Sequence, residues 1–242
     1  MSHAPSTQPV PPGQPIVVFD LGGVMVRICR SWEEACAAAG EPYHPQVRDP
    51  AMLEARKAVV RQHEIGALPC ESFFVELAST TSGLYSPEQV RRIHTAWLLG
   101  EYPGIGDVVD ELHRAGIPTG VLSNTNHAHW VAMMPRRWHT AAPQSATDPA
   151  DHHPASGYPT LARILHPHAS HLLGHAKPTV EIHRAFEHRV GVRPEQVLFF
   201  DDLADNVTGA RAAGWKVHQI DHTADTAAQM RATLRQSGLL SE

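Results

Sequence analysis

The sequence predicts an α/β protein whose mostly parallel, Rossmann-like sheet carries helices on both faces. Two observations support this fold class. Apolar runs alternate with amphipathic segments from residue 101 onwards, which is the pattern of successive β–α–β units. The apolar run 16–19 also leads directly into Asp20, and two glycines follow. A buried strand that ends in an aspartate is typical of open α/β sheets, which place their chemistry at the carboxyl ends of the strands.

The elements of the predicted core follow from periodicity and from helix caps. Short continuous apolar runs indicate buried strands, and a 3.6-residue period between cap signals indicates helices. After the strand over 16–19, we predict strands over 117–123, 197–201 and 215–220. We predict core helices over 104–116, 126–134, 178–191, 203–214 and 223–237. The predicted α/β core therefore comprises residues 16–27 and 101–242.

Residues 28–100 are predicted to form a separate helical subdomain, because four helices follow one another there without an intervening strand. Ser31 and Ser86 each begin a capping box, and Asp49 with Pro50 begins another helix. The four predicted helices cover residues 32–40, 50–66, 69–80 and 86–99.

Two segments are predicted to lie outside the packed elements. Residues 1–15 are rich in Pro, Ser and Gln, and we expect a disordered tail. Residues 135–158 lack an apolar period, and we expect a loop insertion in the core. The chain has 18 histidines, half of them between His127 and His175. Since their spacing has no regular repeat and no cysteine lies nearby, the pattern favours a polar, solvated insertion over a metal-binding tract.

The composition argues against several classes of function. The net charge of −5 is spread along the chain, whereas a nucleic-acid-binding surface is basic and clustered. No stretch of the sequence approaches the roughly 20 apolar residues of a membrane span, and the N-terminus lacks the features of a secretory signal. Three cysteines without metal-site spacing fit a reducing, cytoplasmic location better than a disulfide framework. The expected partner is a small molecule, and the oligomeric state is not indicated.

Polar residues at the ends of predicted elements carry the candidate chemistry. Asp20 is a carboxylate that can attack phosphorus and form a covalent intermediate. Ser123 and Asn124 end a core strand, where a hydroxyl and backbone amides can hold a phosphoryl oxygen. Lys177 is kept extended by the proline that follows it and can neutralise a carboxylate and a phosphoryl group together.

Asp201 and Asp202 follow an apolar strand and indicate a metal site. Adjacent carboxylates at a strand end repel each other unless a cation or hydrogen-bond donors lie between them. Mg²⁺ prefers hard oxygen ligands and would remove this repulsion. Asp205 and Asn206 come next in the sequence, and we expect them to brace the loop and the following helix.

In chain order, the fragments Asp20-Leu21-Gly22, Ser123-Asn124, Lys177-Pro178 and Asp201-Asp202 resemble the haloacid dehalogenase (HAD) superfamily of aspartate-nucleophile hydrolases. The resemblance covers nearly all of the chain after residue 15. It implies that Asp20 and Lys177 are catalytic and that Ser123, with Asn124 beside it, binds the substrate phosphate.

The resemblance also implies a cofactor and a cap. It implies Mg²⁺ held by Asp20, the carbonyl of Gly22 and Asp202, with Asp201 binding directly or through water. Members of the superfamily often insert a helical cap after the first strand, and residues 28–100 are similar to such a cap.

One position departs from the family pattern. Many of these phosphatases carry a second aspartate two residues after the nucleophile, as general acid and base, but Gly22 stands there. Dehalogenases of the superfamily also lack this aspartate, although they tend to carry a bulky residue and need no metal. The fragments Asp20-Leu21-Gly22 and Ser123-Asn124-Thr125-Asn126 resemble a sugar-phosphatase subgroup that is similar to glucose-1-phosphatase-like proteins. His63 and Glu64 of the cap are candidates for the missing acid, and Arg27 is a candidate phosphate contact.

The sequence therefore predicts a Mg²⁺-dependent phosphatase that hydrolyses a small phosphorylated metabolite, such as a sugar phosphate, through an aspartyl-phosphate intermediate. Two alternatives stay open. One is a 2-haloacid dehalogenase. The other is a catalytically silent protein that keeps the fold and uses the site for recognition only, an alternative that Gly22 keeps open.

Overall fold

A five-stranded parallel sheet forms the centre of the molecule. The computed structural model describes residues 10–140 and 157–241. The strands in these residues are β1 (Ile16–Phe19), β2 (Val26–Ile28), β3 (Leu98–Glu101), β4 (Thr119–Ser123), β5 (His166–Ala169), β6 (Val197–Asp201) and β7 (Lys216–Gln219). The main sheet has the order β5-β4-β1-β6-β7, and each neighbouring pair in it is parallel. All five carboxyl ends therefore lie along one edge, and the predicted fold class is confirmed.

Helices cover both faces of this sheet. They are α1 (Trp32–Ala39), α2 (Pro50–Glu64), α3 (Cys70–Ser79), α4 (Pro87–Thr95), α5 (Ile105–Arg114), α6 (His127–Met133), α7 (Ser170–Leu173), α8 (Val180–Val190), α9 (Ala204–Ala212) and α10 (Thr226–Gln236). Successive residues of β1 alternate between two cores. Val17 and Phe19 pack with α5, α6 and α10, whereas Ile16 and Val18 pack with α8 and α9. Because β1 is buried on both faces, its sequence is continuously apolar.

Helices α1 to α4 pack around a third hydrophobic cluster of their own. The buried side chains at its centre include Phe73, Phe74, Leu77, Val90 and Ile93. Caps identified in the sequence fix the starts of these helices. The Ser31 hydroxyl accepts from the amide of Glu34, and Ser86 and Gln89 bond reciprocally. Asp49 accepts from two amides in the first turn of α2.

The short strands β2 and β3 are not predicted by the sequence. They pair antiparallel with each other and carry the chain out to α1 and back from α4. The predicted fourth helix, expected to reach residue 99, accordingly ends at Thr95. Each strand has only three or four residues, and its partner lies far along the chain, so no local period indicates it. The predicted limits of the helical subdomain, at residues 28 and 100, fall within this pair.

Strand β5 is a second element that the sequence does not predict. It has the sequence His-Pro-His-Ala and pairs only with β4, at the edge of the sheet. Proline is tolerated on an edge strand because its missing N–H leaves no partner unsatisfied there. Since its residue types are not those enriched in strands, the sequence gives no strand signal.

The prediction of a disordered tail over residues 1–15 is wrong for residues 10–15. Val10 is buried in the core that contains α8 and α9. The side-chain amide of Gln14 donates to the carbonyl of Gly116 at 2.7 Å. The backbone carbonyl of Gln14 accepts from the side chain of Gln196 at 2.7 Å. Val10 and Gln14 therefore hold residues 10–15 against the core, and residues 1–9 lie outside the described part of the chain.

The predicted loop insertion also begins too early. Residues Arg136–Trp138 form a 3₁₀ helix, and Trp138 packs against the core. The middle of the predicted insertion, residues 141–156, lies outside the described residues. Within the described ranges, no helix is long and apolar enough to cross a membrane.

Four of the histidines that flank this segment are buried or half-buried, contrary to the prediction, whereas His127 and His175 are exposed. His166 is only 3% exposed. Burial lowers the pKa of His129, His166, His168 and His171 to about 4 in each case, against an ordinary value of 6.5. The prediction is wrong because local composition does not reveal that these residues belong to β5, α6 and α7, which pack into the core.

Candidate active site

Four predicted site residues meet at the carboxyl edge of the sheet. Asp20 follows β1, Ser123 ends β4 and Asp201 ends β6. Because β1 lies between β4 and β6, the strand order brings these three ends side by side. Lys177 reaches them from the segment before α8. All four residues are at least 94% buried, so the charged groups depend on one another for stabilisation.

Lys177 joins two of the carboxylates. Its Nζ lies 2.9 Å from Oδ1 of Asp20 and 2.6 Å from Oδ2 of Asp201. Burial acts to lower the pKa of Lys177, but the charges of the two aspartates outweigh it, and the pKa is raised. The lysine therefore stays protonated and holds a fixed positive charge beside Asp20.

Asn124 positions this lysine. Its side-chain amide donates to the carbonyl of Lys177 at 2.9 Å and accepts from the amide of Lys177 at 2.8 Å. This paired contact ties the end of β4 to the segment that carries the lysine. Because the side chain is committed to Lys177, any direct contact of Asn124 with a substrate is left to its backbone.

Further hydrogen bonds hold Asp201 in place beside Lys177. Both of its carboxylate oxygens accept from Nδ2 of Asn206 at 3.1 Å, and Oδ1 also accepts from the amide of Leu203 at 2.9 Å. This is the bracing contact expected of Asn206, whereas Asp205 is exposed. With both oxygens occupied, Asp201 is less available than Asp202 as a direct metal ligand.

Asp202 has a different partner. Its Oδ2 accepts from Nη1 of Arg30 at 2.9 Å, and His222 Nδ1 lies 3.8 Å from the same oxygen. Gly23 makes this approach possible. A Cβ at Gly23 would lie 2.3 Å from both Asp202 Oδ2 and Arg30 Nη2, and its φ is +84°. Only glycine fits both the space and the backbone conformation there.

The three aspartates form a candidate metal site. One carboxylate oxygen from each of Asp20, Asp201 and Asp202 can be chosen so that all lie within 4.8 Å of one another. Hard oxygen donors at this separation fit Mg²⁺. Burial raises the pKa of Asp20 to about 7, and Lys177 opposes that shift. A divalent cation would favour the ionised form of Asp20, which a nucleophile requires.

A cavity of about 260 Å³ lies between this sheet edge and helices α1 to α4. Its floor on the core side includes Leu21, Gly22 and Ser123. The opposite wall is mainly apolar and aromatic, with residues from both short strands and the helices: Val26, Ile28, Trp32, Val60, Phe73, Leu77, Trp97 and Leu98. Glu64, His94 and His129 also line it. The arrangement can hold a small molecule with one anionic end over the carboxylates and one apolar end under the helices.

Some candidate residues do not reach this cavity. Arg27 is exposed on β2 and donates to the carbonyl of Leu99 at 3.1 Å. His63 is 2% exposed, and its Nδ1 contacts the carbonyl of Leu68 at 2.7 Å. Neither side chain is among those lining the cavity. Glu64, the neighbour of His63, does line it.

Sequence reasoning misses Arg30 and the aromatic wall. Arg30 directly precedes the capping box of α1, where an arginine has no associated motif. Trp32 and Trp97 lie on either side of the helical segment, and only the paired strands β2 and β3 bring them to one cavity. The one available signal is that tryptophan is rare in this chain, with five residues in all.

A buried aspartate–lysine pair beside further carboxylates, at the carboxyl edge of a parallel sheet, defines a hydrolase-type site. Residues 15–214 match the family model described as haloacid dehalogenase-like hydrolase. The match covers most of the chain, which therefore belongs to this family of hydrolases.

A curated relative is a phosphatase. The chain is 30% identical over 139 residues to phosphatase MT3486 of Mycobacterium tuberculosis (strain CDC 1551 / Oshkosh), a match that covers 57% of this chain and 54% of that protein. The chain thus spans about half the length of this relative.

Solved structures share the fold. The HAD family enzyme BT-2542 from Bacteroides thetaiotaomicron has a TM-score of 0.66 at 21% identity, covering 90% of this chain and 99% of that chain. Its wild-type complex with magnesium and inorganic phosphate has a TM-score of 0.62 at 19% identity, covering 90% and 100%. The L-2-haloacid dehalogenase PA0810 has a TM-score of 0.55 at 18% identity, covering 88% and 87%.

Proposed function

We propose that this hydrolase is a Mg²⁺-dependent phosphatase that acts on a small phosphorylated metabolite through an aspartyl phosphate at Asp20. The observation that carries the proposal is the buried contact of Asp20 with Lys177, 2.9 Å apart, beside Asp201 and Asp202. A nucleophilic carboxylate, a fixed cation and oxygen ligands for a second cation are what phosphoryl transfer to an aspartate needs.

Each core residue has a proposed role. Asp20 attacks phosphorus, and Lys177 neutralises charge on the carboxylate and on the transferred group. Ser123 at the end of β4 binds a phosphoryl oxygen, and Asn124 keeps Lys177 in place. Asp20, Asp202 and the carbonyl of Gly22 would hold Mg²⁺, with Asp201 in reserve because its oxygens are already bonded. When bound, Mg²⁺ would screen the negative charges of nucleophile and phosphate from each other.

We further propose that residues 28–100 act as the cap of this site. Helices α1 to α4 have their own hydrophobic cluster and supply most of the far wall of the cavity. Such a wall excludes water while the acyl phosphate exists, which strengthens the electrostatic contacts inside.

The relatives support phosphate chemistry over the dehalogenase alternative. A curated relative is called a phosphatase, and a structural neighbour was crystallised with magnesium and inorganic phosphate. A dehalogenase is also among the structural neighbours. The metal-type cluster of three aspartates favours the phosphatase, because displacement of a halide from carbon needs no cation among carboxylates.

The cavity wall favours an apolar or aromatic leaving group over the sugar phosphate that the sequence suggests. A sugar needs several free hydrogen-bonding partners. Most of the wall opposite the sheet edge consists instead of Trp, Phe, Leu, Val and Ile side chains, and the polar lining residues Ser123, Asn124, Thr125 and Asn126 lie at and after the end of β4. Both imidazoles are already engaged, since His129 Nε2 contacts the backbone carbonyl of His94 at 2.7 Å and His94 Nε2 lies 3.2 Å from Nδ2 of Asn126.

An assay with and without Mg²⁺ tests the proposed function. The protein should hydrolyse 4-nitrophenyl phosphate, lose this activity in excess chelator and regain it with Mg²⁺. It should release no chloride from 2-chloropropionate. Chelator-resistant chloride release would instead establish the dehalogenase, and inertness towards both substrates would contradict the phosphatase and favour the silent binding protein. A panel of aryl, alkyl and sugar phosphates would then rank the leaving groups.

A further inference from the structure

Glu64 is an unpaired carboxyl group that faces the cavity. It is the last residue of α2 and lines the cavity opposite Gly22 and Ser123. No hydrogen bond or ion pair to its side chain occurs among the described residues. The other carboxylates at the site are engaged, because Asp20 and Asp201 contact Lys177 and Asp202 contacts Arg30. Glu64 is therefore free to exchange a proton with a bound molecule.

The surroundings of Glu64 suit a proton donor. Burial raises the pKa of its carboxyl group, while the positive charges of Arg61 and Lys177 act in the opposite direction. A carboxyl group with a raised pKa remains partly protonated nearer neutral pH, where general acid catalysis is most effective.

The other titratable groups of the cavity wall are already engaged. His94 Nε2 lies 3.2 Å from Nδ2 of Asn126, and His129 Nε2 contacts a backbone carbonyl. Burial lowers the pKa of both imidazoles, so they are neutral and poor proton donors. His63, the other candidate from the sequence, does not line the cavity.

We propose that Glu64 is the catalytic acid and base that replaces the carboxylate missing at Gly22. The inference rests on the proposed phosphatase function. Gly22 follows β1 and lies on the core wall of the cavity, which includes Leu21, Gly22 and Ser123, whereas Glu64 ends α2 and lies on the cap wall, which β2, β3 and α1 to α4 supply. A proton carrier that is absent from the core wall is thus supplied by the cap wall.

The proton balance is closed over the two steps. In the first, an Asp20 oxygen bonds to phosphorus, the P–O bond to the leaving group breaks, and the leaving oxygen takes the Glu64 proton. In the second, Glu64 carboxylate takes a proton from water as the water oxygen bonds to phosphorus. The P–O bond to Asp20 then breaks, which frees inorganic phosphate and returns both side chains to their starting states.

Two esters that differ in leaving-group basicity test this role. 2-Phenylethyl phosphate has an apolar leaving group suited to the cavity wall, and its alkoxide needs a proton. 4-Nitrophenolate leaves without one. In Glu64→Gln, kcat/KM for the alkyl ester should fall about 10²- to 10⁴-fold, whereas kcat/KM for the nitrophenyl ester should fall less than about threefold. The nitrophenyl ester should also show a burst, because hydrolysis of the aspartyl phosphate loses its base.

Glu54→Gln is the matched control. Glu54 lies on the same helix but is exposed and paired with Lys57 at 2.7 Å, so both esters should react as in the wild type. Glu64→Ala provides a second variant, in which added acetate should restore alkyl ester hydrolysis. Glu54→Ala should show no acetate effect.

The outcomes distinguish the proposed role of Glu64 from the proposed phosphatase function on which it rests. Equal loss for both esters in Glu64→Gln, or no acetate rescue in Glu64→Ala, would overturn the role of Glu64 and leave the phosphatase standing. Failure of the wild-type protein to hydrolyse either ester with Mg²⁺ would overturn the phosphatase itself.

Discussion

The core wall and the cap wall of the cavity bury ionisable groups in opposite ways. On the core wall, Asp20 and Asp201 share the ammonium of Lys177, whose pKa is raised by their charges, so that its positive charge persists in the interior. On the cap wall, neither Glu64 nor His94 forms an ion pair with a described residue, although Arg61 and Lys177 lie near enough to oppose the shift in the pKa of Glu64. Burial favours the neutral form of each side chain. It therefore raises the pKa of Glu64 and lowers the pKa of His94.

This difference divides the chemistry between the two walls. The core wall keeps a fixed positive charge on Lys177, where a nucleophile and a phosphoryl group need it. The cap wall holds Glu64, whose raised pKa keeps the carboxyl group partly protonated nearer neutral pH, where it can give up a proton. The same low polarity thus serves two purposes, depending on whether a buried group has a partner of opposite charge.

The largest expected effect comes from removing the cation that Asp20 and Asp201 share. Lys177→Met leaves Asp20 and Asp201 buried beside each other without their counter-ion. We expect hydrolysis of 4-nitrophenyl phosphate to fall by about 10³-fold or more, and the free energy of unfolding to fall by roughly 3–5 kcal/mol. Urea denaturation and steady-state assays measure the two effects.

Two further variants sharpen this prediction. Lys216→Met removes an exposed lysine from β7 and should change neither quantity. Adding Asp201→Asn to Lys177→Met should recover part of the stability but none of the activity, since one buried charge is then removed with the other. A Lys177→Met variant as stable as the wild type would show that Lys177 does not stabilise the folded protein through its contacts with Asp20 and Asp201.

Histidines that are buried in their neutral form should make the folded protein less stable in acid. The pKa of His166 is about 4 in the folded protein against 6.5 for an ordinary histidine. As the pH falls below 6.5, the unfolded chain takes up the proton first, so stability is full above pH 6.5 and declines towards pH 4. One such histidine contributes up to roughly 3 kcal/mol of this loss.

Unfolding free energies between pH 7 and pH 4.5 test this effect. His166→Leu should flatten the pH dependence, because one proton uptake is removed. His188→Gln, at an exposed position on α8, should keep the wild-type slope. Identical slopes in all three proteins would show that His166 is not held neutral by burial.

The smallest expected effect comes from moving the acid back to the core wall. A Cβ at Gly22 would lie 2.9 Å from Cδ1 of Ile28, the flexible end of a side chain. Ile28→Val removes that atom. In a Glu64→Gln background, Gly22→Asp with Ile28→Val should restore part of the 2-phenylethyl phosphate activity, within about tenfold of the wild type. The same background with Ile28→Val alone should show no gain in kcat/KM.

The sequence predicts the core wall better than the cap wall. Asp20, Lys177 and Asp201 stand beside strand ends or a helix start, so local signals and the rules of parallel sheets bring them together. Trp32 and Trp97 meet only because β2 pairs with β3, a contact between distant segments that no period indicates.

The burial of a segment also cannot be predicted from the sequence where its composition is polar. The run His166-Pro167-His168 is polar in composition, yet it forms an edge strand against β4. Conversely, Arg30 stands in an unremarkable context, and its contact with Asp202 depends on the close approach allowed by Gly23. Such contacts are set by tertiary packing and are not encoded in a short motif.

Trapping the phosphorylated nucleophile tests the central claim most directly. The Mg²⁺-loaded protein is mixed with ³²P-labelled 4-nitrophenyl phosphate, quenched in acid within milliseconds and digested. We predict hydroxylamine-labile label on the peptide that contains Asp20, in amounts that match a single turnover, and none in Asp20→Asn. Turnover without label on that peptide, or an Asp20→Asn variant with more than about a tenth of wild-type activity, would contradict covalent catalysis at Asp20.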